Sequence, residues 1–278
     1  MKPAEATLDL EALEVRLLLE GVFQCYGYDF RDYACASIRR RILARVGAEG
    51  AGSISRLQEM VLHDPPCMER LLEALTVHHT SMFRDPGFYA ALRKQVLPGL
   101  RDLPHLRFWD AGCSTGEEAY SLAIVLDEEG LLERSRIYAT DLSEGVLQRA
   151  RNGVFPLKAM REFTQNYLEA GGNRAFSEYY TARGEGAALR RSLQERIVFA
   201  PHNLATDGSF NEFHLILCRN VMIYFNRTLQ DRVHRLLHAS LAPGGILGLG
   251  RKESLQFTPH EPEYETVDSH EQLHRKRR

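Results

Sequence analysis

Two glycines and two acids in the middle of the chain have the types and the spacing of a site for a nucleotide-like ligand. Gly112 and Gly116 lie in the segment DAGCSTG, which follows a short apolar run and precedes a pattern of helical period. A strand that ends in such a turn leaves backbone N–H groups at the start of the helix, where a ligand can bind them. Asp141 ends the next predicted strand, where a carboxylate can accept both hydroxyl groups of a ribose. An alternative role for Asp141 is the N-cap of the helix that follows.

The glycine segment must also be compared with two other patterns. A dinucleotide site has glycine at the third position of G-x-G-x-x-G, and here Ser114 occupies that position. The segment does match G-x-S-x-G, which would make Ser114 the nucleophile of a serine hydrolase. Asp110, at the strand end, and Asp141 favour adenosine binding over hydrolysis. The pattern D-x-G-x-x-x-G with a later acid resembles the S-adenosylmethionine (SAM) site of class I methyltransferases.

Polar side chains at the end of another apolar strand could complete this site. Arg219 and Asn220 directly follow the run FHLILC, and polar residues are unusual at the end of a buried strand. Tyr224 comes four residues after Asn220, and Arg84 lies ahead of the first strand, where two predicted domains join. The structural alternatives are that Asn220 caps the backbone, Tyr224 packs in the core and Arg84 pairs with Asp85.

These residues need a sheet to bring them together. From residue 105 onward, apolar strand patterns alternate with helical patterns, which is typical of a doubly wound α/β fold with a largely parallel sheet. The ligand of such a sheet lies beyond the carboxyl ends of the strands. Strands are predicted at 105–110, 136–141, 196–201, 213–218 and 246–249, with a closing hairpin within 263–276.

The pattern also divides the chain into regions. Residues 1–77 show only helical periodicity and predict a small all-α domain, whose first helix we expect to end at Gly21. Residues 78–278 form the predicted ligand-binding domain, which begins with a linker at 78–98. The segment 172–195 interrupts the alternation and predicts either a small antiparallel β flap or a long surface loop.

Composition places the chain among ordinary globular proteins. The chain has 278 residues, 44% hydrophobic residues and a formal net charge of −2, which argues against a general nucleic-acid partner. Its five cysteines are scattered and lack any C-x-x-C, so we expect a cytoplasmic protein without a disulfide framework. The adjacent His78 and His79 point apart on a helix or strand, so we expect no metal site. A monomer is the default expectation.

The chain resembles the chemotaxis receptor methyltransferases, which use SAM to methylate glutamate side chains of chemoreceptors. The likeness spans nearly the whole chain and is carried by the segments HTSMFRD, GCSTGEEAYS, ATD and CRNVMIYF, in that order. The resemblance implies a Rossmann-like SAM domain, a small helical domain, the cofactor SAM and its product S-adenosylhomocysteine (SAH). It also implies a partner, either the cytoplasmic helical bundle of a chemoreceptor or a receptor-like protein, and only peripheral contact with membrane receptors.

The resemblance further implies roles for particular residues. Arg84 and Tyr224 would be catalytic, as the groups nearest the incoming carboxylate. Asp141 would hold the ribose, and Asn203 with Leu204 would flank the adenine. The complete implied cofactor set is His78, Thr80, Arg84, Gly112, Gly116, Glu118, Asp141, Asn203, Leu204, Arg219 and Asn220.

Some positions differ from the family pattern. The family usually has Asn where His78 stands, and G-H-S-E where this chain has Gly250-Arg251-Lys252-Glu253. The two extra cations could signal a different protein substrate in another sensory pathway. Another alternative is a regulatory module that binds SAM without catalysis. Four arginines within 39–45 form a basic face that could dock an acidic receptor bundle or simply face solvent.

Overall fold

A computed structural model describes residues 9–76 and 80–278. The chain separates into two compact units: Met1–Val77 with Tyr224–Leu229, and His78–Ile223 with Gln230–Arg278. We call the first the helical unit and the second the sheet unit. Within the described ranges, no helix is both long and apolar enough to cross a membrane.

Four helices build the helical unit, as the periodicity predicts. They are α1 (Leu10–Tyr26), α2 (Cys35–Glu49), α3 (Ile54–His63) and α4 (Pro65–Leu75). The side chain of Ser53 caps α3 by accepting the N–H of Arg56, as expected of serine at this position.

The expected end of the first helix at Gly21 is wrong. Helix α1 continues through Gly21 and ends at Gly27, which adopts a left-handed φ of 76° and donates its N–H to the carbonyl of Phe23. A Cβ built on Gly21 would lie 3.4 Å from a methyl carbon of Leu62, an ordinary van der Waals contact, so Gly21 is a packed residue inside the helix.

The sheet unit is a doubly wound α/β fold, which confirms the predicted class. Its seven strands are ordered β6-β2-β1-β7-β8-β10-β9, and the first five run parallel. The strands are β1 (Leu106–Ala111), β2 (Ser135–Asp141), β6 (Ile197–Pro201), β7 (Phe213–Cys218), β8 (Leu241–Leu249), β9 (Tyr264–Asp268) and β10 (Leu273–Lys276). The predicted closing hairpin is the antiparallel pair β9–β10.

Helices cover this sheet and contribute to its core. They are α5 (Pro86–Ala91), α6 (Glu117–Glu128), α7 (Glu144–Asn152), α8 (Met160–Glu169), α9 (Arg191–Gln194) and α10 (Arg227–Ser240). Helix α5 lies in the segment 78–98 that the sequence suggests as a linker. Its Phe88 and Tyr89 are fully buried, so this segment is an integral part of the sheet unit's core.

The predicted flap exists as a separate antiparallel sheet of three strands. Strand β5 (Gly186–Leu189) pairs with β4 (Tyr180–Arg183) on one side and with β3 (Val154–Pro156) on the other. Strands β4 and β5 lie within the predicted segment 172–195. Strand β3 comes from outside it, just after α7.

Candidate functional site

The glycine turn joins β1 to α6 and requires glycine at two positions. Gly112 and Gly116 have φ values of +89° and +94°, in the region that side chains rarely occupy. A Cβ on Gly112 would lie 2.5 Å from the Cγ2 atom of Val221, so any side chain there would collide with the turn after β7. The N–H of Gly116 donates to the carbonyl of Cys113 at 2.9 Å, which closes the turn before α6 begins.

Asp110 lies at the end of β1, between β2 and β7. It is 2% exposed, and its Oδ2 atom is buried without a hydrogen-bond partner. Burial, followed by the negative charges of Glu118 and Asp141, holds the pKa of Asp110 well above its usual range. A buried acid in this state is prepared to receive a cation or a hydrogen-bond donor.

Asp141 ends β2 and connects this strand to the glycine turn. Its Oδ2 atom accepts the N–H of Ser114 at 2.9 Å, and its Oδ1 atom accepts the N–H of Ser143 at 3.1 Å. Ser143 itself is the N-cap residue of α7. Asp141 therefore braces the loop before the helix rather than capping it, and its carboxylate remains partly exposed.

Arg219, at the end of β7, has its side chain buried among acidic and aromatic groups. Its guanidinium donates to Glu118 at 2.6 Å, to Asp85 at 2.9 Å and to the backbone carbonyl of Arg84 at 3.1 Å. It also lies over the ring of Phe88, 4.1 Å from the ring centroid. The structure thus joins two predicted site residues, Arg219 and Glu118, in one ion pair.

The segment that contains Thr80 and Arg84 lies alongside this ion pair. Both residues are partly exposed, and the main chain of Arg84 accepts from Arg219 as described. The neighbouring Ser81 donates its hydroxyl to Glu162 of α8 at 2.6 Å, which fastens the segment to the sheet unit. His78 lies outside the described residues.

Asn203 and Leu204 follow β6, and the backbone brings this loop to the end of β2. The N–H of His202 donates to the carbonyl of Asp141 at 3.1 Å. The Oδ1 atom of Asn203 accepts the N–H of Ala205 at 3.0 Å, while Leu204 is buried. The loop that the resemblance assigns to the adenine is therefore held next to the acid assigned to the ribose.

The turn after β7 is held by a residue that the sequence analysis did not assign to the site. The buried carboxylate of Glu253 accepts backbone N–H groups from the turn that begins at Asn220. The chain then coils into a 3-10 turn at Met222–Tyr224. The sequence signal in this region was the difference from the family pattern at 250–253, and that difference pointed to Arg251 and Lys252 rather than to Glu253.

One of those two cations is neutralised. Arg251 makes a two-point ion pair with Glu271, with distances of 2.7 and 3.2 Å. Lys252 is exposed. A Cβ on Gly87 would lie 2.4 Å from Oε1 of Glu271, so the glycine makes room for this pair. Arg251 therefore has a structural partner within the chain.

Tyr224 belongs to the helical unit, where two residues of that unit contact it. The N–H of Ala34 donates to the carbonyl of Tyr224 at 2.7 Å, and the guanidinium of Arg41 lies 5.1 Å from the centroid of its ring. Arg41 also donates to the carbonyl of Leu75 at 2.6 Å, and burial lowers the pKa of Arg41. Tyr224 is thus packed but retains partial exposure.

Most arginines of the predicted basic face of α2 have partners within the helical unit. Arg39 pairs with Glu11, and Arg45 pairs with Glu49 at 2.7 Å. The guanidinium of Arg41 lies over the ring of Tyr224. These contacts occupy three of the four arginines within the helical unit itself.

A cluster of two histidines and an acid lies elsewhere in the sheet unit. Potential metal-ligating atoms of His238, His260 and Glu263 lie within 4.8 Å of one another. The two imidazole rings are stacked, with an interplanar angle of 16° and centroids 4.6 Å apart. The Oε2 atom of Glu263 lies 3.3 Å from Nε2 of His238 and 2.6 Å from Nδ1 of His260, so its carboxylate bridges the two rings.

The site residues of the sheet unit match the chemistry of SAM. SAM carries a positive sulfonium, an ammonium group and an adenosine. Glu118 and Asp141 supply negative charge around the glycine turn. Asp110, whose pKa is raised, adds a buried Oδ2 atom that lacks a partner in the free protein. The first residues of α6, directly after the turn, have backbone N–H groups without partners inside the helix.

The fold and this site define a SAM-dependent methyltransferase. Residues 78–272 match the family model described as "CheR methyltransferase, SAM binding domain", and residues 13–76 match "CheR methyltransferase, all-alpha domain". The chain belongs to the CheR methyltransferase family, whose cofactor is SAM.

Curated relatives agree with this assignment. The chain is 48% identical to the "Putative methyltransferase Cher3" of Pseudomonas putida over 95% of this chain and 97% of that protein. It is 31% identical to the chemotaxis protein methyltransferase of Listeria monocytogenes, over 82% of this chain and 85% of the relative. It is 29% identical to the chemotaxis protein methyltransferase of Salmonella typhimurium, over 89% and 85% of the two chains.

Proposed function

We propose that this protein transfers the methyl group of SAM to glutamate side chains of chemoreceptors and forms glutamate methyl esters. The observation that carries the proposal is that both CheR domains match this chain in order, over residues 13–76 and 78–272. Relatives that cover more than four fifths of the chain are named chemotaxis protein methyltransferases. The receptor's cytoplasmic helical bundle is the proposed partner.

The acceptor needs no strong base. A glutamate carboxyl has a pKa of about 4.3, so the acceptor oxygen is already ionised at neutral pH. SAM supplies a methyl group activated by a positively charged sulfur. Because the opposite charges of acceptor and donor are neutralised in the reaction, the site promotes it by aligning the two groups and excluding water. Alignment of this kind lowers barriers by about 7–11 kcal/mol in well-oriented cases.

Arg84 and Tyr224 are the residues we assign to the acceptor. Arg84 has a fixed main chain, because its carbonyl accepts from Arg219 and its N–H donates to Ser81. From this anchor its guanidinium would orient the glutamate carboxylate. The hydroxyl of Tyr224 would donate a hydrogen bond to one carboxylate oxygen. Neither contact should be tight, since excess stabilisation of the ionised acceptor would raise the barrier.

The cofactor residues have separate proposed tasks. Asp141 would accept the ribose hydroxyls through its carboxylate oxygens, each of which can accept more than one hydrogen bond. Asn203 and Leu204 would flank the adenine. Thr80 and Arg84 would contact the cofactor near the reacting centre, and Glu118 would lie in the pocket after the turn of Gly112 and Gly116. Arg219 and Asn220 would close the pocket around the methionine end. His78 is the remaining member of the proposed set.

Transfer of a labelled methyl group tests this function. The protein is incubated with methyl-labelled SAM and membranes that contain chemoreceptors, and labelled proteins are separated and treated with alkali. A carboxyl methyl ester releases its label as methanol under alkali, so we expect an alkali-labile receptor band. Label that resists alkali would show nitrogen or sulfur acceptors instead and would contradict the proposal.

The same assay separates the alternatives. Alkali-labile label on a soluble protein, with none on receptors, would assign the enzyme to another sensory pathway. Normal SAM binding without any labelled protein would favour a regulatory SAM-binding module. Reaction of Ser114 with a fluorophosphonate probe, lost in Ser114→Ala, would favour a hydrolase.

A further inference from the structure

We infer that Glu253 is a positioning residue, which holds the turn after β7 in the shape that the SAM site requires. The inference deepens the proposed function, on which it rests, because it assigns a supporting role within the same site. Glu253 itself need not touch either substrate.

The first argument is the set of hydrogen bonds to this carboxylate. Its Oε2 atom accepts the N–H groups of Asn220 and Gly250, at 2.8 and 2.7 Å. Its Oε1 atom accepts those of Val221, Met222 and Ile223, at 2.9, 2.7 and 3.3 Å. One side chain from the loop after β8 therefore accepts hydrogen bonds from the N–H groups of four consecutive residues, 220–223.

The second argument is that this turn needs external support. Asn220 has a φ of +61°, a conformation that is uncommon for residues other than glycine. The N–H groups that follow it stand at the start of the 3-10 turn at Met222–Tyr224, where they have no partner within the turn. A carboxylate at such a position both accepts these groups and interacts favourably with the local backbone dipole.

The third argument is burial. Glu253 is 6% exposed, and burial raises its pKa while the backbone N–H groups oppose that rise. A buried carboxylate is costly unless hydrogen bonds satisfy it, and here the backbone supplies five. Gly250 permits this approach, because a Cβ there would lie 2.7 Å from Oε2 of Glu253 and 2.8 Å from the N atom of Asn220.

The turn in question is in direct contact with the glycine turn. Val221, whose N–H donates to Glu253, occupies the space that a side chain on Gly112 would need. The position of Val221 thus limits the position of the glycine turn. Asn220, the residue before Val221, belongs to the proposed cofactor set. A shift of the 220–223 turn would therefore disturb both sides of the SAM site.

Glu253→Gln is the sharpest test, because it preserves shape and removes the charge and one acceptor oxygen. The NH2 group of glutamine would face N–H donors of the turn, so the turn should move. We expect the dissociation constant for SAH, measured by calorimetry without a receptor, to rise roughly tenfold or more. Glu253→Asp, which keeps both acceptor oxygens on a shorter stem, should recover part of that affinity.

Glu128→Gln is the matched control. Glu128 is a buried carboxylate of the sheet unit that accepts the hydroxyls of Tyr167 and Tyr179, and it lies outside the proposed site. The Glu128→Gln variant should have a lower melting temperature and an unchanged affinity for SAH. If Glu253→Gln does the same, with SAH affinity within twofold of the wild type, the inference is wrong.

A measurement on the wild-type protein covers the case in which Glu253→Gln fails to fold. Hydrogen exchange should show the amides of 220–223 protected in the free protein, to a degree matching the strands beside them. Exchange as fast as in exposed loops would overturn the inference. Because neither readout requires methyl transfer, a failure of the proposed function would be detected separately, in the labelling assay.

Discussion

The Oδ2 atom of Asp141 accepts the backbone N–H of Ser114 at 2.9 Å, which ties the end of β2 to the glycine turn after β1. The two strands are parallel neighbours, so their carboxyl ends already lie side by side. Ser114 has a left-handed φ of +50°, and the hydrogen bond to Asp141 helps to hold its backbone in this conformation. The acid that we assign to the ribose thus also shapes the turn that we assign to the methionine end.

Gly112→Ala should weaken both stability and SAH binding. The new Cβ would lie 2.5 Å from Val221, at a φ of +89°. The left-handed conformation alone costs about 1–2 kcal/mol for alanine, and the collision adds to this. Thermal unfolding and calorimetry with SAH measure the two effects.

Val221→Ala in the same chain should restore part of the loss in stability, because it removes the atom that collides. Gly99→Ala is the control, since a Cβ there would meet nothing within 4 Å. Equal losses in the single and double variants would show that the collision with Val221 is irrelevant.

Asp110 should make SAM binding depend on pH. Its pKa is raised in the free protein by burial and by neighbouring acids, and a bound cation would favour its ionised form. SAM binding should therefore release a proton, and it should strengthen as pH rises through the window between the lower pKa of Asp110 in the complex and its raised pKa in the free protein. Calorimetry in buffers of different ionisation enthalpy measures the released proton.

Asp110→Asn should bind SAM more weakly and lose this proton release. It should also be more stable than the wild type near neutral pH, because a carboxyl pKa that folding raises lowers the free energy of unfolding as pH rises from 3.8, the ordinary value, towards the raised value. The exposed Asp102→Asn should change neither property. Identical proton release in Asp110→Asn and the wild type would rule out this account of the pH dependence.

Arg84→Ala should lower kcat strongly while the protein remains folded. We expect a fall of about 100-fold, the scale of a lost alignment at the reacting centre, with partial activity in Arg84→Lys. Initial rates of labelled methyl transfer at saturating SAM provide the measurement. Arg101→Ala, which removes an exposed arginine paired with Glu129, should retain normal rates. Full activity in Arg84→Ala would remove Arg84 from the mechanism.

Tyr224→Phe should reduce kcat by about tenfold, the value of one hydrogen bond to a charged group. The change keeps the ring that Arg41 contacts, so the fold of the helical unit should persist. Tyr26→Phe is a suitable comparison, because it removes a tyrosine hydroxyl that donates to the carbonyl of Val61 in the same unit. The proposal fails at this residue if both variants transfer methyl groups at the wild-type rate.

Much of the fold could be predicted from local patterns. Strand β7 is a nearly continuous apolar run, as expected of a buried parallel strand. The glycine turn after β1 and the acid at the end of β2 indicate where those two strands end. Gly21 shows the limit of this method. A glycine inside a helix and a glycine that ends one look alike in sequence, and only the packing of Leu62 against Gly21 distinguishes them.

Long-range contacts account for what the sequence did not predict. Strand β3 joins the small sheet by pairing with β5, more than 25 residues later in the chain, and no local pattern specifies that partner. Glu253 is a similar case, because its role depends on a loop geometry that places one carboxylate against the backbone of 220–223. The residues proposed for the site could be chosen from the sequence, whereas the contacts that support them could not.

Calorimetry of SAM and SAH binding tests the central claim most directly. We predict that the wild-type protein binds both molecules at one site and that Asp141→Ala weakens both, because the variant loses the ribose acceptor and the brace on Ser114. No heat of binding with either molecule, or unchanged affinity in Asp141→Ala, would contradict the account.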